Sequence, residues 1–447
     1  MNSGDTAWML ASSALVLLMT PGLAFFYGGM VRSKSVLNML MMSFGAMGVV
    51  AVLWVLYGYS MAFANDVGGG LLGNPLEYLG LEGLLSKDSL SGTIPSTVFV
   101  AFQAMFAIIT VALISGAIAD RARFGPWLLF AGLWATIVYF PVAHWVFAFD
   151  SSDGSTLGGW IANRLKVIDF AGGTAVHINA GAAGLAVALV LGKRIGWPRE
   201  PMKPHNMTLV MLGAGLLWFG WFGFNAGSAV AANTTAGVTF VNTMVATAAA
   251  MLAWLLVERI RDGRATTLGG ASGVVTGLVA ITPSCSSVTP IGAIALGAIA
   301  GVACAMAIGL KYRFGFDDSL DVVGVHLVGG MVGTLLVGLF ASAAAPQIQH
   351  VDGLFYGGGF TQLGRQAVGA FAVLGYSFVL SLLLGWIVHK TIGFRVEREA
   401  EVDGIDEAEH AETAYQFGGI GARGRVVSAA AHPEPDSRVG TLEGSKQ

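Results

Sequence analysis

Charge is what this 447-residue sequence has least of. Only 11% of its residues are Asp, Glu, Lys or Arg, against about 25% in an average soluble domain. With 55% of residues hydrophobic, folding in water cannot hide the apolar surface, and lipid must solvate most of it. The net charge of −3 comes with no basic tract suited to nucleic acid, which excludes that partner class. Cysteine is scarce too. Cys285 and Cys304 lie in or beside apolar segments, give neither a disulfide framework nor a metal-ligand spacing, and read as small core residues. Positive charge is missing ahead of the first apolar run, since Arg32 follows it. The run from Trp8 to Tyr27 therefore reads as a membrane helix and not as a cleaved leader.

Glycine, at 63 residues, is spread through the apolar runs instead of being kept to loops. Small residues let helices approach closely in lipid, where there is no hydrophobic drive for helix association. Runs of about 20 apolar residues, the length that crosses hydrocarbon, fall near 8–28, 40–63, 95–118, 126–148, 170–191, 208–230, 238–257, 268–284, 290–310, 322–343 and 365–390. The expected fold is an all-α polytopic membrane protein of eleven helices. The eighth run is short, glycine-rich and ended by Thr282-Pro283. One set of loops holds Arg32, Lys34, Arg121, Arg123, Lys193, Arg194, Arg199, Lys203, Arg259, Arg261, Arg264, Lys311 and Arg313. The other set holds only Lys87, Arg164 and Lys166. The positive-inside rule puts the first set in the cytoplasm, the N-terminus outside and the C-terminus inside.

Two histidines share one frame: Val176-His177-Ile-Asn-Ala-Gly181-Ala-Ala-Gly184 and Val325-His326-Leu-Val-Gly-Gly330-Met-Val-Gly333. Each closes a block of five spans, so spans 1–5 and 6–10 read as an inverted repeat plus an eleventh helix. Repeats of this class carry their site near the bilayer midplane, between the halves. The bland alternative is two unrelated polar residues, each satisfied within the bundle. In the functional reading the rings face each other. Each neutral ring offers one N–H donor and one bare acceptor, which suits a small hydrogen-bonding guest or a proton relay. Two histidines without a third ligand make a poor metal site, and no cofactor is expected. Asp169 opens the fifth span, as a helix cap, as a negative field for an arriving cation, or as both. Phe102, Phe106, Trp145, Phe147, Trp218, Trp221, Phe222 and Phe224 gather at outer span ends. They suit an interfacial belt or core, with a few able to form a cation–π cup beside Ser228.

Phe25-Phe-Tyr-Gly-Gly-Met-Val-Arg32, Asp169-Phe-Ala-Gly-Gly-Thr-Ala-Val-His-Ile-Asn179, Gly220-Trp-Phe-Gly-Phe-Asn-Ala-Gly-Ser228 and Asp321-Val-Val-Gly-Val-His326 resemble, in order, signatures of the ammonium transporter (Amt/Mep/Rh) family, Amt branch. The resemblance implies a homotrimer in the plasma membrane, with one narrow pore per subunit, and a transporter in place of an enzyme. It implies that His177 and His326 are twin pore histidines and that Phe106 and Phe224 are the rings closing the pore from outside. Phe102, Phe147 and Ser228 would recruit ammonium (or methylammonium), Asp169 would support that site, and Thr282 would lie near the pore. Many relatives carry tryptophan where Phe147 stands; here Trp145 is two residues earlier. A sensor that binds ammonium outside and signals through its tail is the alternative reading.

The membrane domain is expected over 1–391, a cytoplasmic regulatory tail over 392–417, and disorder over 418–447. The tail's Gly393-Phe-Arg-Val396, Gly404-Ile-Asp406 and His410-Ala-Glu-Thr-Ala-Tyr415 resemble the family segment that couples subunits and meets PII signal proteins. The family's usual His-Gly-Glu is His410-Ala411-Glu412 here.

Overall fold

In lipid every backbone polar group must be satisfied within the chain, which leaves helices as the means of crossing for a sequence without alternating strands. The computed structural model describes residues 1–200, 202–346 and 350–415, so the stretch 418–447 lies outside the described residues. Among the described residues ten helices are long and apolar enough to span a membrane: α1 (Ser3–Met30), α2 (Val36–Phe63), α3 (Ser96–Ile118), α4 (Phe124–Phe147), α5 (Gly173–Leu191), α6 (Met207–Gly227), α7 (Thr234–Arg261), α9 (Pro290–Phe314), α10 (Val323–Phe340) and α11 (Thr361–Ile392). Between α7 and α9 runs a shorter apolar helix, α8 (Thr267–Ile281). It stops where Thr282-Pro283 ends the eighth apolar run.

The two halves pair head to tail. Trp8, near the start of α1, donates its indole N–H to Ala226 O near the end of α6 at 3.4 Å. At the other end Asn206 N donates to Gly29 O at 3.1 Å. The first helices of the two halves therefore run antiparallel, as an inverted repeat requires. Glycine makes their crossing possible: a Cβ on Gly213 would overlap the backbone of Phe26, and one on Gly220 would meet Met19 and Leu15 O. Three fully buried indole N–H groups find acceptors: Trp127 on Met42 O at 2.8 Å, Trp54 on Val100 O at 3.1 Å and Trp134 on Ser381 Oγ at 2.7 Å.

The two ends of the bundle differ. One end gathers Asp5, which accepts from Thr93 Oγ1 at 2.6 Å and from Ala232 N at 2.9 Å. The basic end holds a buried ion cluster. Arg194 grips Asp317 through Nε and Nη2 at 2.9 and 2.8 Å, and Arg121 donates to Asp317 O at 2.6 Å. Burial alone would raise the Asp317 pKa, but Arg194 more than offsets it and holds the carboxyl below its ordinary value.

The tail docks on this basic end, in α12 (Arg398–Asp403) and α13 (Ile405–His410). Its acidic residues finish the helix starts they meet. Asp406 accepts from Leu37 N at 3.0 Å and Asn38 N at 2.8 Å, capping α2 from across the sequence. Glu409 accepts from Phe124 N at the start of α4 at 2.9 Å. Glu401 accepts from Ile195 N at 2.7 Å and pairs with Arg395 at 2.7 Å. The run then ends on Ala411, which takes φ +55° in the left-handed region that glycine occupies freely. That conformation gives the glycine of the family's His-Gly-Glu a physical reason. Ala411→Gly is expected to stabilise the docked tail by about 1 kcal/mol, measured as slower protease cleavage of residues beyond α11 in detergent-solubilised protein.

Candidate functional site

Both histidines sit at the start of a membrane helix, and both starts are built alike. His177 lies in a wide π-type turn, Gly173–Ile178, and His326 in another, Val323–Leu327. Such turns are uncommon and are frequent at functional sites. Eight residues before each histidine stands an aspartate that caps the turn. Asp169 accepts from Gly172 N at 2.9 Å, Gly173 N at 2.6 Å and Thr174 N at 2.8 Å, and from the Thr174 hydroxyl. Asp318 accepts from Val322 N at 3.1 Å and Val323 N at 2.7 Å. Burial first, and then neighbouring Asp321, push the Asp318 carboxyl up to about 6. The shared Asp-x7-His spacing could have drawn attention to Asp318 in the sequence; the shorter repeat frame did not reach it.

The structure brings the two rings together. Nδ1 of His177 and Nδ1 of His326 are 3.3 Å apart, with ring centroids 5.4 Å apart and planes 26° from parallel. One Nδ1 must then carry the proton and the other accept it. The ring donating at Nδ1 has a bare Nε2; its partner has an Nε2–H. The pair thus turns one acceptor and one donor along its line, and Nε2 of His177 is buried with no protein partner.

Around the pair is a narrow slot of about 10 Å³ lined by Met19, Leu23, Leu113, Trp221, Phe224 and Val275, among others. That is close to the least space that holds one water-sized guest. Trp221 stacks on His177 at 5.4 Å and 15°. Its indole N–H donates to Thr282 Oγ1 at 2.9 Å, and Thr282 in turn donates to Leu278 O at 2.8 Å. Thr282 is thus one layer behind the slot, where it orients Trp221. That indole was among the aromatics at outer span ends, but nothing in its spacing pointed to a stack on His177.

Phe106 and Phe224 lie over the slot, stacked at 4.1 Å and 24°. Phe102 packs edge-on against Phe106 at 5.0 Å and is fully buried. Beyond the stack opens a cavity of about 80 Å³, lined by Phe147, Phe149, Asp169, Ser228, Ser286 and Ser287, among others. Phe147, Ser228 and Asp169 meet there, whereas Phe102 stands behind the phenyl stack and not on the cavity wall. Phe147 also contacts Phe106 edge-on at 6.3 Å. Ser228 donates to Phe224 O at 2.8 Å, leaving its oxygen lone pairs for a guest that donates. Asp169 spends its oxygens on the helix start, so its charge acts on the cavity as a field. Phe149, Ser286 and Ser287 carried no motif and went unnoticed in the sequence.

Trp145 lies outside the cavity. It packs against Tyr376 at 4.6 Å and Trp160 at 5.9 Å, and donates to Leu71 O at 2.8 Å. It pins the loop after α2 to the core instead of lining the mouth.

The sequence profile of the Ammonium Transporter Family matches residues 7–415. The ammonium transporter of Mycobacterium tuberculosis is 66% identical across 99% of this chain and 96% of its own length. That of Corynebacterium glutamicum is 44% identical across 97% and 95%. Among solved structures, Saccharomyces cerevisiae Mep2 superposes with a TM-score of 0.81, at 35% identity over 89% of this chain and 88% of that one. A protein described as Sensor Amt Protein superposes with a TM-score of 0.83, at 30% identity over 91% and 98%.

Trp145→Phe keeps the ring and removes one buried hydrogen bond, so it is expected to cost about 1 kcal/mol of stability. A thermal melt in detergent would register the loss.

Proposed function

Because the chain belongs to the ammonium transporter family, we propose that it recruits ammonium at the outer cavity, strips its proton near Phe106 and Phe224, and conducts ammonia past His177 and His326. The observation that carries this reading is the small size and largely apolar lining of the slot beside the twin rings. A fully hydrated cation has no room in about 10 Å³, and a bare one would lose its hydration without a ring of carbonyls to replace it. A neutral molecule with one lone pair and several N–H groups meets the acceptor and the donor that the ring pair presents.

Recruitment follows from the cavity above. An aromatic face attracts a partly dehydrated cation, the Ser228 oxygen accepts one of its N–H groups, and the Asp169 charge biases the mouth toward cations. Proton loss then gives a selectivity that size cannot. Ammonium and potassium are alike in radius, but only ammonium can leave its proton behind and enter the slot. A Phe at 147 is a weaker cation–π partner than a Trp; Phe147→Trp is therefore expected to lower the half-saturating ammonium concentration about 2- to 5-fold at unchanged expression.

The proton has a route of its own. If the bare Nε2 takes up the proton that ammonium sheds, the proton between the two Nδ1 atoms crosses, and the partner's Nε2–H is released, then donor and acceptor exchange ends and one proton passes along the pair. His177→Ala or His326→Ala is expected to reduce methylammonium uptake at least about 10-fold or to let potassium through. Uptake and potassium discrimination both unchanged in the two variants would sink the reading. Current recorded with an ammonium jump in liposomes distinguishes ammonia alone from ammonia plus proton.

Two further parts belong to this proposal, and one alternative stands beside it. The family resemblance favours three copies in the plasma membrane. The docked tail, with its acidic residues locked into helix starts of the basic end, offers a surface for a PII signal protein on the cytoplasmic side. The sensor reading is favoured by the likeness to Sensor Amt Protein, and uptake by the purified protein in liposomes separates transport from sensing alone.

A further inference from the structure

We infer that Phe149 is a second aromatic wall of the recruitment cavity and sets how tightly that cavity holds an ammonium or alkylammonium cation. The inference rests on the cavity being the recruitment site.

Phe149 follows the last turn of α4 and is 56% exposed. Its backbone is nonetheless held from both sides. Ala148 O accepts from Gly159 N at 2.9 Å and from Asn163 Nδ2 at 2.9 Å. Asp150 N donates to Asn163 Oδ1 at 2.9 Å, and the Asp150 carboxylate accepts from Gly158 N at 2.7 Å. One asparagine side chain thus grips the residue before Phe149 and the residue after it. The ring is presented by a rigid ledge, not by a loose loop.

That ledge aims Phe149 at a particular place. The ring lines the 80 Å³ cavity together with Phe147, Asp169 and Ser228. The same two phenylalanines line a neighbouring cleft of about 390 Å³, whose other walls include Tyr59, Phe63 and Phe99. Phe147 and Phe149 are therefore the walls common to the two spaces. A single phenyl ring is a weak partner for a cation; two phenylalanines lining one mouth that also carries a hydroxyl and a nearby carboxylate make a better one. This explains how a mouth with Phe at 147 can still hold its guest.

The test is competition of ammonium against labelled methylammonium uptake in proteoliposomes of the full-length chain. Phe149→Ala and Phe149→Leu are both expected to raise the half-saturating ammonium concentration roughly 3- to 10-fold, and Phe149→Trp to lower it or leave it unchanged. Because the ring is largely exposed, size-exclusion profiles should match the parent protein. If Phe149→Ala shifts the value and Phe149→Leu does not, bulk and not the ring is responsible, and the inference is wrong. If Phe149→Ala has no effect while Phe147→Ala and Ser228→Ala do, the inference fails and the recruitment site stands. If none of the three shifts the value, the recruitment site itself is misassigned and the inference falls with it.

Discussion

Two carboxylates hold the centre of this protein together. A helix that begins inside a bundle exposes N–H groups that no water can reach, and each one left unmet is costly. Asp169 and Asp318 meet them at the starts of α5 and α10. With those starts fixed, the wide turns that follow can carry His177 and His326 to within 3.3 Å of each other. Remove the caps and the two turns lose the anchor that sets the ring positions. The geometry of the ring pair depends on that anchoring before it depends on either ring.

The inverted repeat explains why the arrangement is nearly symmetrical inside and asymmetrical outside. Each half contributes one aspartate, one wide turn and one histidine. The surroundings then diverge. At the end away from the basic cluster, Asp169 sits beside a small cavity with a hydroxyl and phenyl walls. On the basic side Asp318 lies among Lys311, Asp321 and the Arg121–Asp317–Arg194 cluster, with the Lys311–Asp321 pair at 2.7 Å. One framework thus presents a small cavity with a hydroxyl and phenyl walls at one end and a densely paired charge network at the other.

Much of this was legible in the sequence, for identifiable reasons. Hydrophobic run length exposes membrane helices directly, and the Thr282-Pro283 stop marked the short α8. The histidine pair stood out because a nine-residue frame occurs twice. Other features had no local signature. The π-type turns follow from packing between halves and not from residue preference. Trp145 and Phe147 differ in role only because one faces the loop after α2 and the other faces the cavity. The acidic tail reads as a solvated segment, yet Asp406 meets Leu37 and Asn38 some 370 residues away, and no window along the chain contains both.

That tail has a consequence of its own. Tethered through Gly393 to the end of α11, it behaves as an intramolecular ligand present at high effective concentration. Its binding sites are the first turns of α2 and α4. By thermodynamic reciprocity, whatever tightens those turns also tightens the tail. Whatever draws the tail away, in turn, uncaps two of the helices that frame the bundle.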